Sequence, residues 1–367
     1  MTIYLGLDVH ARSTVYCAEK ESGEILVRGE VLTSRSGFEE ISARLGVGSG
    51  CRVGLETGSQ SFWVSGLLSE LGMESYVIDA QEVRQKSRRP RQKSDRRDAF
   101  ELCDGLRRGI FVKHIYVPVA EVQRLRLIVS RRRHFVRLGT SQVNAAKSLL
   151  RSVGLSDLAG TLTTYKAWEE LLAKPELATL RQFACAHYRV WRSSREQVDK
   201  LHDELVRALV PFKETVRRLQ TVPGVGEITA ATYIAVIARP DRFPSSSEVS
   251  SYLGLVPSGW DSGEREQHGP ITKTGNSELR AMLVEAAHHA SAPNHPLHPY
   301  FARVCAKSGF KKAVVCVAQR LARILWRMWL NEEDFAIEKL NVVRERRKVS
   351  RTYFWRIRDS VNPGVRA

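Results

Sequence analysis

Ile3-Tyr4-Leu5-Gly6-Leu7-Asp8 begins the chain as a short apolar run that closes on an acid. A run of that length bounded by polar residues reads as a buried strand. Working outward, residues 13–18 and 25–31 repeat the strand pattern at hairpin spacing, with Ser22-Gly23 as turn chemistry between them. A helical pattern over 38–45 follows. Arg52-Val53-Gly54-Leu55-Glu56 is then another short strand ending on an acid, and Thr57-Gly58 breaks it. A helix over 61–71, a strand over 74–78 and further helices complete the order. Three strands followed by alternating helix and strand predict an α/β domain.

No glycine-rich phosphate loop follows the first strand, so the order predicts a ribonuclease-H-like arrangement rather than an open nucleotide-binding sheet. In that arrangement the first strand lies beside the fourth. Asp8 and Glu56 would face each other, and a later helix could close over both. The candidate helix starts at Ser94-Asp95-Arg96-Arg97-Asp98, with Ser94 as N-cap and Ala99, Leu102, Cys103 and Leu106 at helical spacing until Gly109. Asp95 and Asp98 stand three residues apart on one face, where two carboxylates can share a metal. Upstream, Arg84, Lys86, Arg88, Arg89, Arg91 and Lys93 form a basic approach suited to a phosphodiester backbone. Taken alone, such an acidic first turn equally well complements a helix dipole. The rest of the chain gives it weight.

The chain has 367 residues, enough for two or three domains with real cores. Hydrophobic content of 43% and charged content of 26% are ordinary for a globular protein. Its charge is not. Lys and Arg number 57 against 40 Asp and Glu, a net +17, which points to a polyanionic partner, nucleic acid ahead of a membrane surface. The apolar stretch at 313–330 is broken by Arg320, Arg323 and Arg327, so no membrane span is expected. No secretory signal is recognisable, which predicts a cytoplasmic protein. Six cysteines without a Cys-x-x-Cys pair predict neither a zinc knuckle nor a disulfide framework.

The second half predicts an all-α region, so the whole reads as α/β plus all-α. The expected division is a domain carrying the four acids over 1–118, a helical linker over 119–211, a serine-bearing domain over 212–330 and a basic tail over 331–367. In the linker, Arg124, Arg126, Arg131, Arg132, Arg133 and Arg137 crowd one helix around a stripe of Leu125, Ile128 and Val129. The stripe suits either a bundle core or oligomer contacts, and the arginines either a solvated face or backbone binding. Trp168, Tyr188 and Trp191 read as core. Pro223-Gly224-Val225-Gly226 between two helical patterns looks like a helix-hairpin-helix turn, where Gly224 and Gly226 would bring backbone N–H groups to a phosphate. Residues 258–269 read as a polar, glycine-rich loop carrying Ser258, Ser262 and His268, with no Ser-His-Asp set. Ile271-Thr272-Lys273-Thr274-Gly275-Asn276 then leads into a helix with Arg280 on its first turns. From Phe301 onward 16 Lys or Arg stand against 6 Asp or Glu. Arg320, Arg323 and Arg327 share a helix face suited to backbone phosphates, and the run from Arg344 interleaves Tyr353, Phe354 and Trp355.

Together these motifs resemble the DEDD-motif transposases of bacterial insertion sequences, which are related to Piv-type DNA invertases. Gly6-Leu7-Asp8-Val9, Glu56-Thr57-Gly58 and Lys93-Ser94-Asp95-Arg96-Arg97-Asp98-Ala99 stand in the family's order, with Ser94 where members usually carry Thr. In the second half, Pro223-Gly224-Val225-Gly226, Gly254-Leu255-Val256-Pro257, Ser262-Gly263 and the 271–276 segment with Leu279-Arg280 are similar to the family's transposase domain. The resemblance covers residues 3 to about 330. It implies a RuvC-like site in which Asp8, Glu56, Asp95 and Asp98 hold Mg²⁺, and a nucleophilic serine at Ser262. It also implies donor and target DNA as partners, a noncoding bridge RNA as guide, and dimers that assemble into tetramers. The competing expectations are a RuvC-like junction nuclease that uses water and a non-catalytic nucleic-acid-binding scaffold.

Overall fold

β1 (Ile3–Val9) runs antiparallel to β2 (Ser13–Lys20), which pairs in turn with β3 (Ile25–Leu32). On its other edge β1 is parallel to β4 (Cys51–Glu56), and β4 to β5 (Glu74–Ile78), giving the sheet order β3-β2-β1-β4-β5. The helices are α1 (Arg35–Leu45), α2 (Ser61–Glu70), α3 (Ala80–Lys86) and α4 (Asp95–Arg107). Strand alternation divides the core between two faces. Leu5, Leu7, Val53 and Leu55 pack under Phe38 and Ile41 of α1 and Val64 and Leu67 of α2. Tyr4, Val15 and Cys17 point the other way, against Ala99 and Cys103 of α4. Each such fully buried aliphatic side chain contributes on the order of 1.5–3 kcal/mol. This computed structural model describes residues 2–46, 50–86, 94–262 and 265–338, with the backbone only at 260–262 and 265–268. It divides the chain into two units, residues 1–119 and 120–367.

The second unit is mostly helical: α5 (Ala120–Ser152), α6 (Tyr165–Ala173), α7 (Arg181–Ala208), α8 (Lys213–Gln220), α9 (Glu227–Ile237), α10 (Ser246–Tyr252), α11 (Ser277–His288), α12 (His298–Ser308) and α13 (Phe310–Asn331). Between α10 and α11, β6 (Pro257–Ser262) and β7 (Arg265–Ile271) form an antiparallel ribbon. At about 50 Å, α5 is long enough to serve two cores. Near its start Leu125, Ile128 and Val129 join the core built from α9, α11 and α13, so the apolar stripe is core. Near its end Ala146 and Leu150 meet Trp168, Leu171 and Trp191 in a smaller one, with Tyr188 packed against it.

The segment expected as a loop at 258–269 is this ribbon. Ser, Gly, Asp, Glu and Gln hide a strand from any reading based on apolar alternation, yet the ladder is made by backbone groups and runs from Pro257↔Ile271 to Ser262↔Arg265. Ser94 occupies the N-cap of α4 as expected. Its extended backbone is right for a cap, but its hydroxyl makes no capping bond. No helix among the described residues is long and apolar enough to cross a membrane.

Candidate active site

Gly6 sets the site. A Cβ there would lie 2.1 Å from the carbonyl oxygen of Ala99 and 2.5 Å from the backbone nitrogen of Cys103, so only glycine lets α4 lie directly on β1. At the next contact along, the Cys103 thiol donates to the carbonyl of Tyr4 at 3.1 Å. Helix and strand therefore run in opposite directions, Cys103 over Tyr4 and Ala99 over Gly6. Four helical residues rise about 6 Å and two strand residues about 6.6 Å, so the next rung puts Asp95 over Asp8. A parallel ladder starts where the Leu102 carbonyl lies against Gly54. Four residues earlier on the helix is Asp98, and two residues later on the strand is Glu56, the register neighbour that follows the Leu7↔Leu55 pair.

His10 completes the cluster. Its Nε2 lies 3.2 Å from Asp8 Oδ2 and 3.4 Å from Asp95 Oδ2, and one ligand atom from each of the three side chains falls within 4.8 Å of the others. Two carboxylates brought so close repel unless a cation or a hydrogen-bond donor lies between them. Asp8 is largely covered at 18% exposure and Asp95 is open at 56%, so the cluster has a buried floor and an accessible rim. Two carboxylates and an imidazole form a donor set able to hold a divalent cation. His10 was not among the sequence candidates. The signal was present: Asp8-x-His10 places the imidazole two residues beyond the acid, on the same side of an extended chain.

Three contacts brace the unit that carries these acids. Thr57, directly after Glu56, donates both its backbone N–H and its hydroxyl to the Ile78 carbonyl, at 2.9 and 2.6 Å. At the far end of α4, Arg107 donates to the buried Glu19 at 3.0 Å, which pins the helix to β2. Glu82 of α3 is 3% exposed and accepts from Lys86 and from the backbone N–H groups of Val112, at 3.1 Å, and Lys113, at 2.8 Å. Burial alone would raise the Glu82 carboxyl. The Lys86 ammonium and the two backbone donors outweigh it and bring the pKa down to about 2. Lys86, part of the expected basic approach, is thus engaged by Glu82 and by the Ile110 carbonyl. Arg28, Arg96 and Arg97 line a cleft of about 480 Å³ beside α4. Cysteines distant in sequence also meet here, the Cys17 thiol facing that of Cys103 under α4. The Cys103 thiol beside it, with a smaller pull from Arg28, outweighs burial and holds the Cys17 thiol below its ordinary value.

In the second unit the expected residues converge on the base of the ribbon. Gly254 and Gly275 both have left-handed φ, +64° and +68°. A Cβ on Gly254 would lie 2.4 Å from the Thr274 nitrogen, and one on Gly275 2.0 Å from the Tyr252 carbonyl. Arg280 Nη1 donates across this crossing to the carbonyls of Leu253 and Thr274, at 2.9 and 2.6 Å. The two strands leave from it at Pro257 and Ile271. Lys273 sits in the crossing with φ +57°. Asn276 caps α11 by accepting from Leu279 N–H at 2.8 Å. The Ser258 hydroxyl donates to the Pro270 carbonyl at 2.8 Å. Ser262 is the last residue of β6. Its side chain and that of His268 lie outside the described residues, as do Arg88, Arg89, Arg91, Lys93 and the run from Arg344.

Gly224, at φ +85°, rests against the Ala286 carbonyl of α11, whereas a Cβ on Gly226 would meet open space. Arg320, Arg323 and Arg327 line one cavity of about 340 Å³ with Tyr300. Arg320 lies over the Tyr300 ring, and Arg323 donates to Ser250 at 2.8 Å.

Residues 5–154, which carry the acids, match the DEDD family of IS110 type described as "Transposase", and residues 216–302, which carry the ribbon, match the family described as "Transposase IS116/IS110/IS902 family". These two matches define the class as a transposase. Within that class the chain belongs to the IS116/IS110/IS902 family. It is similar to the transposase for insertion sequence element IS1111A of Coxiella burnetii, 24% identical over 339 residues covering 90% of each chain. It is also similar to the transposase for insertion sequence element IS1328 of Yersinia enterocolitica, 27% identical over 345 residues, 88% of this chain and 95% of the relative. A pilin gene-inverting protein of Moraxella lacunata is 26% identical over 140 residues, 38% of this chain and 44% of the relative.

Proposed function

We propose that this transposase cuts and rejoins DNA strands through a covalent seryl–DNA intermediate formed by Ser262, at a RuvC-like site of ribonuclease-H-like fold built from Asp8, Glu56, Asp95 and Asp98. The observation that carries the reading is the α4 ladder, which lays Asp95 over Asp8. The four acids, with His10 beside them, would hold a divalent cation, Mg²⁺ by the hardness of the carboxylate set, and when bound it supplies charge neutralisation at the scissile phosphate. In the first step the Ser262 hydroxyl oxygen bonds to phosphorus, the bond to one strand oxygen breaks, and the serine proton ends on the departing strand hydroxyl. In the second step a hydroxyl of the new strand attacks the same phosphorus and releases serine with its proton. One phosphodiester replaces another, so no external energy source is needed.

The remaining assignments follow from charge. Residues Arg88, Arg89, Arg91 and Lys93, the Gly224 and Gly226 turn, and Lys273, Arg320, Arg323 and Arg327 contact the backbone of donor and target DNA. Arg280, which holds two carbonyls through Nη1 alone, presents its remaining guanidinium donors to the same backbone. The sequence-family likeness and the +17 net charge support a guide RNA as a further partner, and the family likeness alone supports assembly into dimers and tetramers. The relative that inverts a pilin gene is consistent with recombination as the outcome. The test is a nicked element-end substrate with Ser262→Ala. Wild type yields a protein–DNA adduct and recombinant product, and Ser262→Ala yields neither while still binding DNA. Strand exchange by Ser262→Ala would move the water-using junction nuclease ahead, and absence of metal-dependent cleavage in the wild type would favour a non-catalytic scaffold.

A further inference from the structure

Arg132 of α5 is half-buried and has one donor unmet. Its Nε is buried and has no hydrogen-bond partner among the described residues. Burial, reinforced by Arg195, disfavours its charged form against the opposing pull of Asp199, Glu278 and Glu227, yet a guanidinium stays protonated in a protein. It lines a cavity of about 380 Å³ between α5, α9 and α11, together with Arg133 and Arg137 on one wall and Gly224, Thr229 and Glu278 on the other. Glu278 Oε2 pairs with Arg133 Nη1 at 3.2 Å, and its second oxygen is buried without a partner. Glu285 and His289 also reach the cavity. Three arginines face two carboxylates there, and the closer carboxylate is committed to Arg133. A buried guanidinium N–H left without an acceptor costs stability unless an acceptor comes to it.

The shape and chemistry of the cavity indicate which anion. The guanidinium fork matches two oxygens of a phosphate, and the cavity's volume leaves room for the adjoining sugar. Gly224 belongs to the turn before α9, so a backbone passing that turn meets main chain and arginine together. We propose that this cavity is a phosphodiester seat, in which Arg132 and Arg137 hold one backbone phosphate of a nucleic acid that passes the Gly224 turn. The proposal rests on the nucleic-acid reading above and adds a site on α5 to it.

The test uses the full chain with Arg132→Met and, as a second variant at an exposed position on the rim, Arg137→Gln. Affinity for a 20-mer DNA duplex and for a single-stranded RNA of the same sequence is followed against salt. Each variant is expected to weaken binding about tenfold at low salt and to lower the slope of log K against log salt by about one. Arg132→Met keeps the length and apolar stem of the side chain and should do so with the circular dichroism spectrum unchanged. Loss on duplex alone assigns the phosphate to DNA, and loss on RNA alone to RNA. Unchanged slopes for both variants on both probes overturn the proposal. A wild-type protein without salt-dependent binding to either probe would instead overturn the nucleic-acid reading beneath it.

Discussion

Gly6 in the first unit and Gly254 in the second are both required by close approach, but what each brings together differs. Gly6 lets a helix backbone settle onto a strand, so two acids from segments 87 residues apart in sequence meet on rigid elements. Gly254, with Gly275, lets two chain segments cross, and what they fix is backbone: the starting points of β6 and β7. The first arrangement positions ligand atoms directly. The second positions the stem of a ribbon. A metal site needs carboxylates held before the metal arrives, whereas the nucleophile proposed above, which meets one strand, leaves it and meets another, would be served by a braced stem.

The largest effect expected from this contrast is that of Gly6→Ala. A methyl group 2.1 Å from a carbonyl oxygen forces α4 off the sheet, and we expect a loss of about 4 kcal/mol in the first unit's urea transition. An unchanged transition would mean that α4 is not seated on β1.

Glu82→Gln comes next and depends on pH. Its folded pKa, about 2, lies below the ordinary 4.5, so the charged carboxylate's contribution is complete above about 4.5 and is lost as pH falls through 2. The variant should be about 2 kcal/mol less stable than wild type at pH 7, and the gap should close between pH 4.5 and 2. A gap that persisted at pH 2 would assign it to packing rather than charge.

A smaller and more local effect is expected of Arg280→Met, which removes a donor shared by two carbonyls at a cost of about 1.5 kcal/mol. Amide hydrogen exchange should accelerate in residues 253–258 and 270–276 and stay unchanged in α9. Uniform acceleration across the unit would show that Arg280 supports the core instead of the ribbon's base.

Much of the first unit was legible because burial leaves a regular mark. Apolar runs ending on Asp8 and Glu56, and the helix opened by Asp95 and Asp98, could be ordered from alternation and helical spacing alone. His10 escaped because a lone histidine has no periodic signature, and the meeting of Cys17 with Cys103 because their 86-residue separation says nothing about packing. The ribbon at 257–271 was hidden by its polar composition. The two carbonyls that Arg280 engages were not legible, because a sequence shows that a residue is charged and does not show what it contacts.

The claim on which the rest depends is that α4 brings Asp95 to Asp8 as one cation site. Titration calorimetry with Mn²⁺ tests it on the wild type, Asp8→Asn, Asp95→Asn and Asp104→Asn, the last at the opposite end of α4, where Asp104 is engaged by Arg107. We predict that Asp8→Asn and Asp95→Asn each weaken Mn²⁺ binding at least about tenfold with the circular dichroism spectrum unchanged, while Asp104→Asn binds as wild type does. Wild-type affinity in Asp95→Asn, or an equal loss in Asp104→Asn, would contradict the account.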